Sequence, residues 1–359
     1  MTQPASAPPT VPATPTPAPS ERGWGKLLIA IVAFLIIPAQ LGALLPINQA
    51  MMLLVPAIAA CALVGWWAGG RPFLAIAWVA IATLMMAQTG TAPSPFYNLA
   101  RGWSLLLAGS FGLVCLFTMT RPLFARALLA LGITLALATV MSLLGPVKLS
   151  QAKKTVADEF SRRDADVIAA VNGVIQAHPK EWAELSAKIP RLATFPDTAE
   201  KELAAVSKTG VAVFPALLAL QSLAALALAW AVYHRLGRTR LGAPLRPLRE
   251  FRFNDQLVWG LIVGLTIVLL PTLTSVRGFG KNLLVFFGAL YAVRGFGVLS
   301  WFMAPGSLGI TLAIGFVMLC APVVNVFALL AFTMLGVASL ALGLGDTWAD
   351  WRSRARSTS

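Results

Sequence analysis

Acid is scarce in this chain, and its distribution is more informative than its amount. Only 14 of 359 residues are Asp or Glu. All of them fall in the N-terminal tail, in one polar central segment, or in loops and helix ends. No apolar run holds an internal carboxylate, which argues against a proton relay of buried acids and against a carboxylate metal site within a membrane. Histidine is rarer still, at two residues. His178 lies in the polar segment and His234 at the boundary of an apolar run. With no nucleophile–His–acid arrangement and no Gly-rich phosphate loop, no catalytic constellation is visible. The three cysteines, Cys61, Cys115 and Cys320, sit in three separate apolar runs. Without a CxxC or Cys/His cluster they imply neither a disulfide framework nor a zinc site, and they read as small buried apolar residues. No metal and no cofactor is expected.

What the chain has in quantity is hydrocarbon. Apolar residues make up 58% and charged residues 12%, and the apolar ones come in long continuous blocks. That is the composition of a polytopic helix bundle. A transmembrane barrel would instead show in-and-out alternation. Lys and Arg number 28 against the 14 acids. They flank the apolar runs, so they point to membrane orientation rather than to nucleic acid.

Residues 1–22 are rich in Pro, Ala and Thr and read as a disordered tail. Five spans are expected in 23–146, over Leu27–Leu45, Ala50–Trp67, Pro72–Gln88, Gly102–Thr118 and Pro122–Leu144. Turn residues separate them: Pro46–Gln49, Gly69–Arg71, and a loop with Pro93 and Pro95. Pro38 predicts a kink in the first span, and Ala39 with Ala43 forms a small-xxx-small pair. Trp66, Trp67 and Trp103 read as interfacial anchors at span ends.

Residues 147–208 are the one substantial polar segment. Val156, Phe160, Val167, Val171, Val174 and Ile175 recur at helical spacing, and Asp158–Arg162 and Glu159–Arg163 are spaced for ion pairs on a solvated face. A short helix with Trp182, Leu185 and Ile189 on one side follows Pro179. Asp197 with Glu200 predicts the start of a helix that continues into the next span. The segment is expected to form a small helical cap beside the bilayer.

Residues 209–352 hold the second five spans, and 353–359 a basic tail. Val211–Tyr233 leads into a loop with Arg235, Arg238, Arg240, Arg246, Arg249 and Arg252. Asn254 and Asp255 read as N-cap and first-turn acid for Gln256–Leu273. Asn282–Phe302 follows. The run Leu308–Leu344 is about 55 Å long as one helix, too long for one crossing, so it reads as two spans turning near Pro322–Asn325. Ten spans put Arg22, Lys26, Arg71, Arg121, the arginine loop and Arg352, Arg354 and Arg356 on one side, joined by Arg126 one turn into the fifth span. The positive-inside rule makes that side cytoplasmic, with both termini, and places the cap outside. The expected fold is therefore an all-α transmembrane bundle of about ten spans with a small extracytoplasmic helical insertion, in a bacterial cytoplasmic membrane.

Arg294 stands out. Counted from Asn282 it lies about 18 Å into its run, near the bilayer midplane. An arginine there costs at least about 2.5–3.5 kcal/mol and should face protein, water or a ligand. With no acid expected in its own layer, its candidate partners are carbonyls near a helix break, Asp346 or Asp350 reached by tilting, water, or an anionic ligand. Arg294, Asn282 and Tyr291 are accordingly the ligand-binding candidates, weighed against an arginine that only fixes packing. Near the C-terminus, Asp346 and Asp350 lie one turn apart. They read either as partners of the arginine loop, pinning the last helix beside Arg246, Arg249 and Arg252, or as an acid–base pair. Trp348 and Trp351 read as interface anchors, and the loop at 235–252 as a contact for anionic lipid.

Phe251-Arg252-Phe253 leading to Val258-Trp259, Lys281-Asn282-Leu283-Leu284, Gly295, Leu342-Gly343, and Asp346-Thr347-Trp348 with Asp350-Trp351-Arg352 together resemble the YybS-like family of bacterial multi-pass membrane proteins, grouped under a domain of unknown function. Where that family often has Gln, this chain has Arg294. The family is also distantly similar to substrate-binding subunits of energy-coupling-factor transporters, an analogy at the level of fold. The leading functional expectation is a solute-binding or transport-related subunit without its own ATPase, and not an enzyme. The alternative is a cell-envelope scaffold with a membrane-protein partner; a lipid-modifying enzyme acting through Asp346 and Asp350 ranks below both.

Overall fold

A computed structural model describes residues 23–42, 44–87, 94–118, 120–145, 148–189, 194–237, 242–302 and 326–351, with side chains from 334 onward in the last stretch. Within these residues the chain forms α-helices and 3-10 turns and no strand: α1 (Trp24–Gln40), α2 (Met51–Trp67), α3 (Pro72–Ala87), α4 (Pro95–Phe117), α5 (Leu123–Leu144), α6 (Leu149–Ala177), α7 (Pro179–Lys188), α8 (Phe195–Leu236), α9 (Val258–Leu269), α10 (Arg277–Phe302) and α11 (Val326–Ala349). Helices α4, α5 and α8 and the stretch Pro271–Phe302 are long and apolar enough to cross a membrane; α1, α2, α3, Asp255–Leu269 and Met334–Ala349 are shorter apolar helices. This is a polytopic helical bundle. The expected N-terminal tail, Ala43, Pro93, Arg238, Arg240, the Leu308 span start, Cys320, the Pro322–Asn325 turn and the tail from Arg352 lie outside the described residues.

Helix boundaries follow local chemistry. Ser94 caps α4 by accepting from the Tyr97 N–H at 3.2 Å, with Pro95 in the first turn, where a missing N–H is harmless. That start is seven residues earlier than the span expected from Gly102. It carries Arg101 and Trp103 inside the helix, and the Trp103 indole donates to Ser222 at 3.0 Å instead of marking a span end. Gly69, at φ +86°, ends α2 in a left-handed turn that suits glycine.

The largest core lies among α2, α4, α5 and α8, around Phe111, Leu107, Leu53, Leu226 and Trp230. Helix α2 is buried almost continuously from Met52 to Cys61, so it is the centre of this half. A second core joins the loop before α9 to α10 and α11 around Phe253, Leu290 and Tyr291.

The 42 residues of α8 amount to about 63 Å, roughly twice the hydrocarbon thickness. The helix therefore passes from the polar segment into the bundle as one element, with Pro215 inside it. It begins at Phe195 after Thr194, so Asp197 lies in its first turn and does not cap it.

The cap is more deeply engaged than its charge pattern suggests. Glu159 and Arg163 are 8% and 6% exposed and pair at 3.0 Å, so they are not on a solvated face. Arg163 also donates to the carbonyls of Gly42 at 2.9 Å, Leu45 at 2.8 Å and Pro46 at 3.1 Å. Arg162 pairs with Glu159 and Asp166. Helix α6 thus docks a guanidinium into the α1–α2 connection and holds its free carbonyls. Gln221 of α8 completes the clamp, accepting from the Ile47 N–H at 3.1 Å and donating to the Ile47 carbonyl at 2.9 Å. Burial pushes the Glu159 carboxyl up, but hydrogen bonds from Arg162 and Arg163 outweigh it and hold it below the ordinary glutamate value.

Candidate functional site

The segment Phe251–Asn254 is extended, and extended backbone sends alternate side chains to opposite faces. Phe251 and Phe253 turn into the second core: Phe124 of α5 lies 5.5 Å from Phe251 and 5.4 Å from Phe253, ring centre to ring centre. Phe253 also meets Tyr291 of α10 edge-on at 5.0 Å. Arg252, between them, faces the other way and reaches the C-terminal carboxylates, bonding Asp350 directly and lying 3.8 Å from Asp346. Asn254 then accepts from the Gln256 N–H at 3.1 Å and caps the 3-10 turn that opens α9.

Arg294 completes the cluster. Its Nε donates to Asp346 Oδ2 at 3.1 Å and its Nη1 to Asp255 Oδ1 at 2.5 Å. Its guanidinium carbon lies 5.5 Å from the Phe253 ring centre, within cation–π range. Arg294 is 2% and Asp346 1% exposed, so this is a buried pair, with Asp255, Asp350 and Arg252 forming a half-open rim. The expectation that Arg294 lacks an acid in its own layer does not hold. Helix α10 runs from Arg277 to Phe302, so Arg294 is about 26 Å from one end of it and about 12 Å from the other, level with the residues before α9 that supply Asp255.

Glycine sets the approach of the helices. A Cβ on Gly295 would overlap the Ser339 carbonyl, and one on Gly343 would overlap that of Tyr291. Helices α10 and α11 therefore cross backbone to backbone, one turn from Asp346. Gly264 and Gly280 do the same for α9 against α10. The spacing Gly260-x-x-x-Gly264 is a sequence signal for such a crossing. Asp255 was legible only as a first-turn acid.

The other two ligand candidates are engaged within the protein. Asn282 accepts from the Ala216 N–H at 2.9 Å and donates to the Ala212 carbonyl at 3.0 Å. These two backbone groups flank Pro215, which lacks the N–H a helix needs, so the Asn282 amide bridges the interrupted turn of α8. Tyr291 is fully buried, its hydroxyl 3.5 Å from the Asp255 carbonyl. Arg246 and Arg249 are exposed on the loop. Trp348 is 70% exposed. Asp350 adopts a left-handed φ of 43°, a conformation Asp tolerates better than most residues, and the chain then places the Trp351 ring beside Gly345.

Arg126, one turn into the fifth expected span, is 1% exposed. It donates to the Arg121 carbonyl at 2.8 Å and stacks 4.7 Å from the Trp230 ring centre. Among the described residues no group of three or more His, Cys, Asp or Glu side chains is arranged to hold a metal.

No curated protein and no solved structure matches the chain. A family model, described as a predicted membrane protein family, matches residues 28–340. That range takes in the loop, Asp255, Asn282 and Arg294, and ends before Asp346. It is consistent with the YybS-like resemblance. On a match across most of its length, the chain belongs to the DUF2232 family of predicted membrane proteins.

Proposed function

We propose that the chain is a transport-related subunit of a bacterial cytoplasmic membrane, without a nucleotide-hydrolysing part of its own, in which the cluster Arg252–Asp255–Arg294–Asp346–Asp350 is an ionic gate. The observation that carries this is the Arg294–Asp346 pair, closed to solvent and joining two helices whose crossing is lined by glycine. A buried ion pair contributes little net stability compared with well-packed apolar side chains of the same volume. Ionisable residues inside membrane bundles also commonly mark substrate or ion pathways. Glycine-thin crossings let helices slide or separate without unlocking side chains. On this reading the arginines hold the closed state, and a solute reaches the bundle when Arg294 exchanges Asp346 for the solute or for water. Both C-terminal carboxylates are held by arginine, so no acid–base catalysis is assigned to them.

A single-cysteine reporter at Val298, buried one turn from Arg294, tests the gate in a background without native cysteines. In proteoliposomes, Arg294→Gln or Asp346→Asn should raise labelling of the reporter by a membrane-impermeant maleimide several-fold, and should change binding of a panel of small anions and vitamins. A folded, monodisperse variant with labelling and binding both unchanged makes the cluster a static pin and removes the proposal. The scaffold reading is favoured by one observation, the exposure of Arg246 and Arg249 on a loop held at Arg252. It predicts that charge reversal at all three arginines abolishes crosslinking to a membrane partner.

A further inference from the structure

A recess opens at another place, between the last turns of α2, the Gly69–Arg71 turn, the start of α3 and the C-terminal end of α8. Trp66, Arg71, Leu74, Trp78, Tyr233 and Leu236 are among its walls. Gly65 shapes it, because a Cβ there would strike the Tyr233 ring. The left-handed turn at Gly69, closed by the Gly70 N–H to the Gly65 carbonyl at 2.9 Å, brings Arg71 to the mouth. Arg71 is exposed and has no ion pair or hydrogen bond among the described residues. None of the described wall residues is acidic. Helix α3 starts immediately after Arg71 with Pro72, so the positive end of its dipole lies at the same mouth.

The walls grade from cationic to apolar. Arg71 and the indole of Trp66, 51% exposed, stand at the mouth; Ile58, Leu74 and Trp78 continue along the helices. Leu236 and Gly237 tie the recess to the end of α8 from which the arginine loop departs, so it lies at a membrane boundary rather than at mid-depth. An amphiphile fits that gradient, with its negative head on Arg71 and its first methylenes against Leu74 and Trp78. A free inorganic anion would use the mouth alone and leave the apolar wall unfilled. We propose that this recess binds one anionic phospholipid, with Arg71 as its charge partner and Trp66, Trp78 and Tyr233 as its aromatic walls. This site does not depend on the gate.

Native mass spectrometry of the full chain in detergent, titrated with phosphatidylglycerol and with phosphatidylcholine, provides the test. The wild type should retain one phosphatidylglycerol in preference to phosphatidylcholine. Arg71→Ala should weaken that retention about tenfold, the scale of one hydrogen bond to a charged group, while Arg71→Lys keeps most of it. Lys180→Ala, exposed on α7, should leave it unchanged, and Ala62→Trp should block both lipids by filling the wall. Elution profile and helicity establish that each variant is folded. Equal retention of the two lipids by the wild type, or a folded Arg71→Ala chain that keeps its preference, overturns the proposal. So does displacement of the lipid by inorganic phosphate at comparable concentration, which would reduce the recess to an anion site.

Discussion

Arg294 and Asp346, 52 residues apart in the chain, meet across the α10–α11 crossing at 3.1 Å with both side chains closed to solvent. Removing one partner should be far worse than removing both. Asp346→Ala leaves a buried guanidinium with a single rim carboxylate, an expected loss of about 3–5 kcal/mol. The double replacement Arg294→Met with Asp346→Leu should be close to neutral in stability while abolishing any gating. Thermal unfolding of the purified variants in detergent distinguishes the two patterns; a double variant as weak as the single one would show that the pair itself carries the fold.

The crossing should be intolerant of a single methyl group. Gly295→Ala and Gly343→Ala each drive a Cβ into backbone, which cannot move aside as a flexible side chain can. Losses of at least about 1–3 kcal/mol are expected. Gly288→Ala and Gly336→Ala meet nothing within 4 Å among the described residues and should be neutral or slightly stabilising, by up to about 1 kcal/mol through helix propensity. Equal effects at all four positions in one unfolding series would contradict the backbone contact.

Asn282 and Pro215 should be coupled. Asn282→Ala leaves the Ala212 carbonyl and the Ala216 N–H without their side-chain partner, at about 1–3 kcal/mol for the N–H of buried Ala216. Pro215→Ala restores the N–H of the interrupted turn and lets α8 close its own ladder. The double variant should therefore be more stable than the sum of the single effects predicts, by about 0.5–3 kcal/mol. Strict additivity in a double-mutant cycle would rule out the bridge.

Docking of α6 should weaken in acid. The Glu159 carboxyl is held below its ordinary value in the folded chain, so its stabilising contribution is complete above that value. It fades as the pH falls below about 4.5 towards the depressed folded value. Hydrogen exchange of α6 should rise over that window in the wild type. Glu159→Gln should exchange faster at neutral pH and lose that acid-dependent rise.

How far the sequence reaches is best judged on particular residues. Arg252, Asp346 and Asp350 were legible as partners because charges at a membrane boundary have few other places to go. Arg294 was legible as unusual, since a guanidinium in an apolar run is costly wherever it lies. Its full set of partners was not, because Asp255 and Asp346 reach it from two other elements. The burial of Arg163 is hidden in the sequence because a charged amphipathic helix looks solvated until its neighbours are known.

Residue order by itself determined that this chain is a bundle of helices in a membrane. Hydrocarbon offers backbone N–H and C=O groups no partner, so long apolar runs must close their hydrogen bonds within themselves. Tertiary structure alone decided which carboxylate holds Arg294, that Asn282 mends a proline break, and that Arg163 grips the α1–α2 connection. Those outcomes depend on how closely helices approach, which glycines such as Gly295 and Gly343 set across distances that no local pattern encodes.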